Sequence, residues 1–354
     1  MDTLLQPGVL GDIALANRVV MAPMTRSRAG DGDVPTSLAV DYYRQRASAG
    51  LIVTEGTQPS EEGKGYCRTP GIHSDAQREA WSRVSDAVHG AGGRIVMQLM
   101  HCGRVASHHN KAPGAETVAP SAIRAAGEIY TDAVGMAPHD EPRALATAEI
   151  PRLIEDYRRA GENAFAAGMD GLELHCTSGY LPAQFLATGS NRRGDGYGGS
   201  VGGRIRFVVE TLEALITLRG AGRVGLRICP GNPFNDLQDD EPAATFAALL
   251  EAISPMGLAY LHVIRRREPV DTIALARKHF SGPLIVNDSY GGEDADAALD
   301  ERIQAVSFGR HFIANPDLVE RLRSGTPLAK FNPKTLYTPG AAGYTHYPPA
   351  DAAA

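Results

Sequence analysis

Eight short apolar or β-branched runs, most followed by a stretch of helical period, constrain this chain more than any other feature. The runs fall at 18–24, 51–55, 94–100, 171–176, 224–228, 260–264, 283–287 and 305–308. Segments rich in Ala, Leu, Arg and Glu with a 3.6-residue period lie between them, at 37–49, 75–89, 151–167 and 204–219. Strand then helix, eight times, is the count that closes a parallel (β/α)8 TIM barrel. A doubly wound open sheet would place a glycine-rich turn after its first strand, and here that turn is Ala22-Pro23-Met24-Thr25. One domain over 1–354 is therefore expected. Residues 7–15 alternate around a Gly-Asp pair and predict a β-hairpin plugging the barrel's bottom. The long interruption at 103–147 is expected to be a lid, and the Pro, Gly and Tyr-rich tail at 332–354 to lie over the barrel mouth or at an interface, frayed at 351–354.

Composition narrows the function. With 43% hydrophobic and 21% charged residues the chain can bury a large core, and a net charge of -6 offers no footprint for nucleic acid or an anionic membrane. No run of 18 apolar residues and no secretory leader pattern occurs, so a cytoplasmic location without a membrane partner is expected. Cys67, Cys102, Cys176 and Cys229 lack CxxC spacing, which argues against disulfides and structural zinc. His101, His108 and His109 match no metal-ligand spacing.

In a parallel barrel the working groups gather at the strand C-termini. Here these are Thr25, Gly56, Gln98 with Met100, His175 to Tyr180, Arg227, Asp288-Ser289 and Gly309-Arg310. His175, Ser178 and Tyr180 should emerge together, offering two hydrogen-bond donors to a substrate oxygen and one acidic proton nearby. Their alternative role is to cap a buried strand. No pair of carboxylates or histidine-carboxylate cluster stands among these ends for metal or glycosidase chemistry. Gly309-Arg310 and the 288–292 loop occupy the place where barrels commonly bind a phosphate. Side-chain parity puts Glu173 inside the barrel one layer below His175, where its carboxylate needs a partner, and Arg227 or another inward cation is the expected one.

The chain also resembles the old yellow enzyme family of FMN-dependent ene-reductases. The matching segments are 17–26 (NRVVMAPMTR), 50–56 (GLIVTEG), 64–72 (KGYCRTPGI), 98–104 (QLMHCGR), 179–181 with 184–186, 197–200 (YGGS), 307–317 (SFGRHFIANPD) and 343–348 (GYTHYP), in family order along nearly the whole chain. The resemblance implies FMN across the barrel mouth. Its phosphate would lie near Gly309, Arg310, Asp288 and Ser289, its ring against Pro23, Met24 and Thr25, its pyrimidine edge on Gln98, and its N1 and O2 beside Arg227, with Gly56 in the same lining. Tyr66, Met100, Phe234 and Tyr337 would line the substrate side.

The implied reaction is ping-pong reduction of the C=C bond of a small α,β-unsaturated carbonyl or nitro compound with NADPH or NADH. His175 and Ser178 would hold the substrate oxygen, the flavin N5 hydride would add at Cβ, and Tyr180 would protonate Cα. Three departures bear on substrate choice and cofactor binding. Ser178 replaces the usual Asn or His, Met100 stands where tryptophan is common, and Asp288 stands where small, glycine-like residues are common. Gly202-Gly203 replaces a Glu-Asn pair and bears on the start of the next helix. A relative specialised to reduce or isomerise one biosynthetic intermediate, and a flavin-free binding barrel, are the alternatives. Monomer and homo-oligomer are both compatible with the sequence.

Overall fold

The computed structural model describes residues 1–348. Eight parallel strands form a closed barrel: β1 Val19–Met21, β2 Leu51–Val53, β3 Ile95–Leu99, β4 Gly171–Cys176, β5 Val224–Ile228, β6 Tyr260–Ile264, β7 Leu284–Asn287 and β8 Ile303–Phe308. Each pairs in parallel with its neighbour in the chain, and β8 returns to β1. Outside them lie α1 Ser37–Arg44, α2 Asp75–Gly90, α3 Ile150–Ala166, α4 Val201–Arg219, α5 Pro242–Ile253, α6 Thr272–His279, α7 Gly292–Ala298 and α8 Leu318–Ser324. Among the described residues no helix is long and apolar enough to cross a membrane.

Strand parity sorts the core into two layers. Val19, Met21, Ile52, Ile95, Met97, Leu172, Leu174, Leu226, Ile228, Leu261 and Val263 face the helices, while Val20, Leu51, Val53, Val96, Tyr260, Ile285 and Ala305 fill the barrel. The hairpin of Gly8–Leu10 and Ile13–Leu15 inserts Leu10, Ile13 and Leu15 into that inner cluster. The barrel's bottom is thus plugged, as expected. Tyr260 fits because β5 presents Gly225 to it, where a Cβ would lie 2.3 Å from the tyrosine ring. Above the apolar layer the inward positions turn polar, and that change of chemistry marks the working end.

Local differences from expectation have local causes. Helix α1 stops at Arg44 because Arg46 turns inward: its guanidinium donates to the carbonyls of Phe312 and Ile313 and packs on the Tyr42 ring. Gly202-Gly203 does not delay α4, whose cap is Ser200 accepting from the Gly203 amide. A side chain at 203 would collide with the Gly198 carbonyl, 2.2 Å from its Cβ, so a glycine is required there. The 103–147 excursion contains an antiparallel hairpin, Glu128–Thr131 with Gly135–Pro138, which its weak sequence periodicity did not announce. The tail is tied to the barrel by Arg28, which donates to the carbonyls of Thr335, Leu336, Gly340 and Ala342, and by Tyr344 stacked on Tyr42. The expected fraying at 351–354 lies outside the described residues.

Candidate active site

The polar layer of the barrel is a connected network built by strand register. Glu173 of β4 pairs with Gln98 of β3, His175 with Arg227 of β5, and Arg227 with His262 of β6. Glu173 points inward, fully buried, as parity requires. Its partners differ from the expected cation: it accepts from Gln98 Nε2 at 2.7 Å and from His262 Nδ1 at 2.8 Å. Arg227 stands one step away, donating to His262 Nε2 and to Asn287 Oδ1. Burial opposes the charge on Glu173, but the hydrogen bonds from His262 and Gln98 and the field of Arg227 hold its carboxyl below the ordinary value. Burial, then Arg227's charge, pushes His262 down to about 4, so this imidazole is neutral. A neutral relay therefore joins carboxylate to guanidinium, because β6 places an imidazole between them where the sequence suggested direct contact. No group of three or more metal-ligating side chains occurs among the described residues, and the four cysteines are free and buried.

Above this network a cavity of about 170 Å3 is lined by Gly56, Gln98, Met100, His175, Ser178 and Tyr180, with Pro23, Thr25, Arg227 and Phe234 at its edges. His175 is held neutral, pushed down to about 3 by burial and then by Arg227. Its Nδ1 is buried and has no protein hydrogen-bond partner. An orphaned buried nitrogen costs about 1–3 kcal/mol, and the imidazole that carries it lines the cavity together with Ser178. Ser178 sits at φ +58 on the turn after β4, which carries it out of the strand beside His175. The Tyr180 ring lies 5.1 Å from that of His175, and its hydroxyl shares a 3.1 Å hydrogen bond with Tyr66. Burial, then Tyr66, pushes the Tyr180 phenol well above its ordinary value, so it keeps its proton.

Asn235 went unread in the sequence. It adopts φ +57 in the loop after β5 and donates to the Ser178 carbonyl at 2.8 Å and to the Tyr66 hydroxyl at 3.4 Å. It thereby fixes the serine turn against the tyrosine pair.

Two larger clefts open from this cavity. One, of about 680 Å3, runs from Pro23, Met24, Thr25 and Arg227 to Asp288, Ser289, Gly309 and Arg310, with Tyr337 at its rim. At its far end Asp288 and Ser289 hold left-handed backbone, φ +82 and +58, and the Asp288 carboxylate lies 3.6 Å from Arg310. The other, of about 790 Å3, takes in Tyr66, Tyr180, Phe234 and Tyr337. Every residue expected from the sequence thus lies on one of three adjoining surfaces. A planar, polar-edged cofactor with an anionic tail fits the 680 Å3 cleft: a buried guanidinium stands at one end, and glycine, a helix start and an exposed arginine stand at the other.

A family model described as "NADH:flavin oxidoreductase / NADH oxidase family" matches residues 3–329. A Leishmania infantum protein named "Probable flavin mononucleotide-dependent alkene reductase" is 40% identical over 356 residues, 98% of each chain. The 12-oxophytodienoate reductase 1 of Oryza sativa subsp. japonica is 38% identical over 357 residues, covering 98% of this chain and 92% of that one. Among solved structures, morphinone reductase in complex with tetrahydroNAD superposes with a TM-score of 0.93 at 46% identity, covering 98% and 97% of the two chains. The old yellow enzyme homologue from Zymomonas mobilis gives 0.93 at 41% identity, covering 98% and 99%.

Proposed function

Because the chain belongs to the old yellow enzyme family of flavin oxidoreductases, we propose that His175, Ser178 and Tyr180 act together on a small α,β-unsaturated carbonyl or nitro compound. The protein is an ene-reductase of activated C=C bonds with FMN as cofactor and a reduced nicotinamide as electron source. Bound FMN would supply the hydride-transfer chemistry between the nicotinamide and the alkene. Pro23, Met24 and Thr25 would back its ring, Gly56, Gln98 and Arg227 would meet its polar edge, and Asp288, Ser289, Gly309 and Arg310 would surround its phosphate.

The observation that carries the reading is that His175, Ser178 and Tyr180 line one cavity, a neutral imidazole and a protonated phenol with rings 5.1 Å apart and a hydroxyl beside them. His175, neutral, donates one N–H to the substrate oxygen, and the Ser178 hydroxyl donates a second hydrogen bond. Both bonds strengthen as negative charge grows on that oxygen, which draws electron density from the alkene. Tyr180 then gives its proton to Cα. Its high pKa suits the role, since the acceptor is a strongly basic enolate, and the hydrogen bond with Tyr66 holds its hydroxyl in place. Met100 and Phe234 shape the remaining wall. Four free, buried cysteines support a reducing, cytoplasmic compartment.

Anaerobic stopped-flow measurement of the two half-reactions tests this. Tyr180→Phe should leave flavin reduction by NADPH within about twofold and slow reoxidation by 2-cyclohexenone by about 100-fold or more. Equal slowing of both steps would remove the proton-donor role.

A further inference from the structure

The wild-type mouth carries an apolar surface that a small enone does not need. Three of the exposed large hydrophobic side chains among the described residues, Tyr130, Phe234 and Tyr337, line the 790 Å3 cleft, and Val134 and Met136 are exposed on the hairpin that carries Tyr130. Tyr130 forms one wall of that cleft and Tyr337, from the tail, another. Arg68 fastens the two walls together, bonding to Asp132 on the hairpin and donating to the Tyr337 carbonyl at 2.9 Å. Its charge is spent in doing so. The other ionic side chains of the cleft, Glu128 and Lys334, are opposite in sign, so the cleft has no preference for an anion or a cation.

Topology then decides what can enter. The 170 Å3 cavity opens through Pro23, Thr25 and Arg227 into the cleft assigned to FMN, and through Thr25, Tyr180 and Phe234 into the aromatic one. A ligand whose oxygen is held by His175 and Ser178, and which is larger than the cavity, extends into the second. We propose that this vestibule is a specificity site for a neutral aromatic or polycyclic body, so that the preferred substrates are extended aryl-bearing enones, with Tyr130 a specificity-determining residue. The inference rests on the function proposed above. It adds a site to that reading, one built by the hairpin.

Isothermal titration of the oxidised FMN holoenzyme with phenol and with 4-phenylphenol separates the two. Phenol reports the oxygen-binding pair alone, whereas the second ring must occupy the vestibule. The second ring should tighten binding by about tenfold or more, because burying it removes on the order of 100 Å2 of apolar surface from water. Tyr130→Ala should lose about fivefold of that gain and leave phenol unchanged, and Tyr130→Phe should keep it. Tyr130 is exposed at a hairpin, so neither substitution threatens folding. Phenol binding with no gain from the second ring would overturn the vestibule while sparing the function. So would a Tyr130→Ala variant that binds 4-phenylphenol as wild type does but sediments with a changed oligomeric state, since the patch would then be a contact between copies. Failure of phenol itself to bind would overturn the function as well.

Discussion

Replacing Asp288 with glycine should tighten FMN and leave riboflavin untouched. Asp288 holds φ +82 at the anionic end of the cleft assigned to FMN, and its carboxylate lies 3.6 Å from Arg310, the cation best placed to meet a phosphate. The pair is largely exposed, with relative accessibilities of 47% for Asp288 and 71% for Arg310, so it is worth about 0.5 kcal/mol. A phosphate must displace that pairing and then sit near a carboxylate. At roughly 5 Å in a water-like dielectric the repulsion is about 1 kcal/mol. Together these predict a Kd for FMN lower by about tenfold in Asp288→Gly. Stability should change by less than roughly 1 kcal/mol, because relief of left-handed strain is offset by the extra chain entropy of glycine. Flavin fluorescence quenching on titration of the apoprotein measures both ligands, and the difference should shrink at high salt. Equal tightening of riboflavin would show that the backbone, not the carboxylate, governs binding. An unchanged FMN affinity would refute the competition altogether.

Two further outcomes follow from the same geometry. Ser178→Asn lengthens the donor that reaches the substrate oxygen, so phenols and simple enones should bind several-fold tighter, on the scale of one improved hydrogen bond; unchanged titrations would mean that position 178 does not touch the oxygen. Stability should fall on acidification from pH 6.5 to 4: His175 and His262 stay neutral when folded down to about 3 and 4, whereas their unfolded counterparts protonate near 6.5, so the unfolded state binds more protons across that window. Glu55, pushed up to about 7 by burial, opposes this, but one carboxyl is set against two imidazoles. Urea midpoints at pH 7.5 and 5.0 decide it, and a midpoint that does not drop would be contrary.

Strands buried on both faces are written plainly in the sequence: β4, β5 and β6 begin and end where their apolar runs do. The first run was read too long because Ala22 to Met24 are apolar for another reason, leaving the sheet to line the clefts. His262 was hidden inside an apolar run, and its role as the partner of Glu173 appears only when the register of β4, β5 and β6 places it beside Arg227. A lone polar residue at an inward position of a buried strand was the available signal. Asn235 offered none, since its importance lies in a left-handed backbone and bonds to two distant segments. Thr25, Gly56, Gln98, Met100, Arg227, Ser289 and Arg310 were legible because barrel chemistry gathers at strand ends, whereas Tyr66, Phe234 and Tyr337 lie on loops and the tail and were pointed to only by the family resemblance, and Arg68 and Tyr130 were not read.

The most direct test is a crystal structure of the FMN-bound protein soaked with p-hydroxybenzaldehyde. The ligand's phenolic oxygen should lie within hydrogen-bond distance of a His175 ring nitrogen and the Ser178 hydroxyl, with the Tyr180 hydroxyl over the ring. A phenolic oxygen bound elsewhere in the cavity, touching neither His175 ring nitrogen nor the Ser178 hydroxyl, would contradict the account.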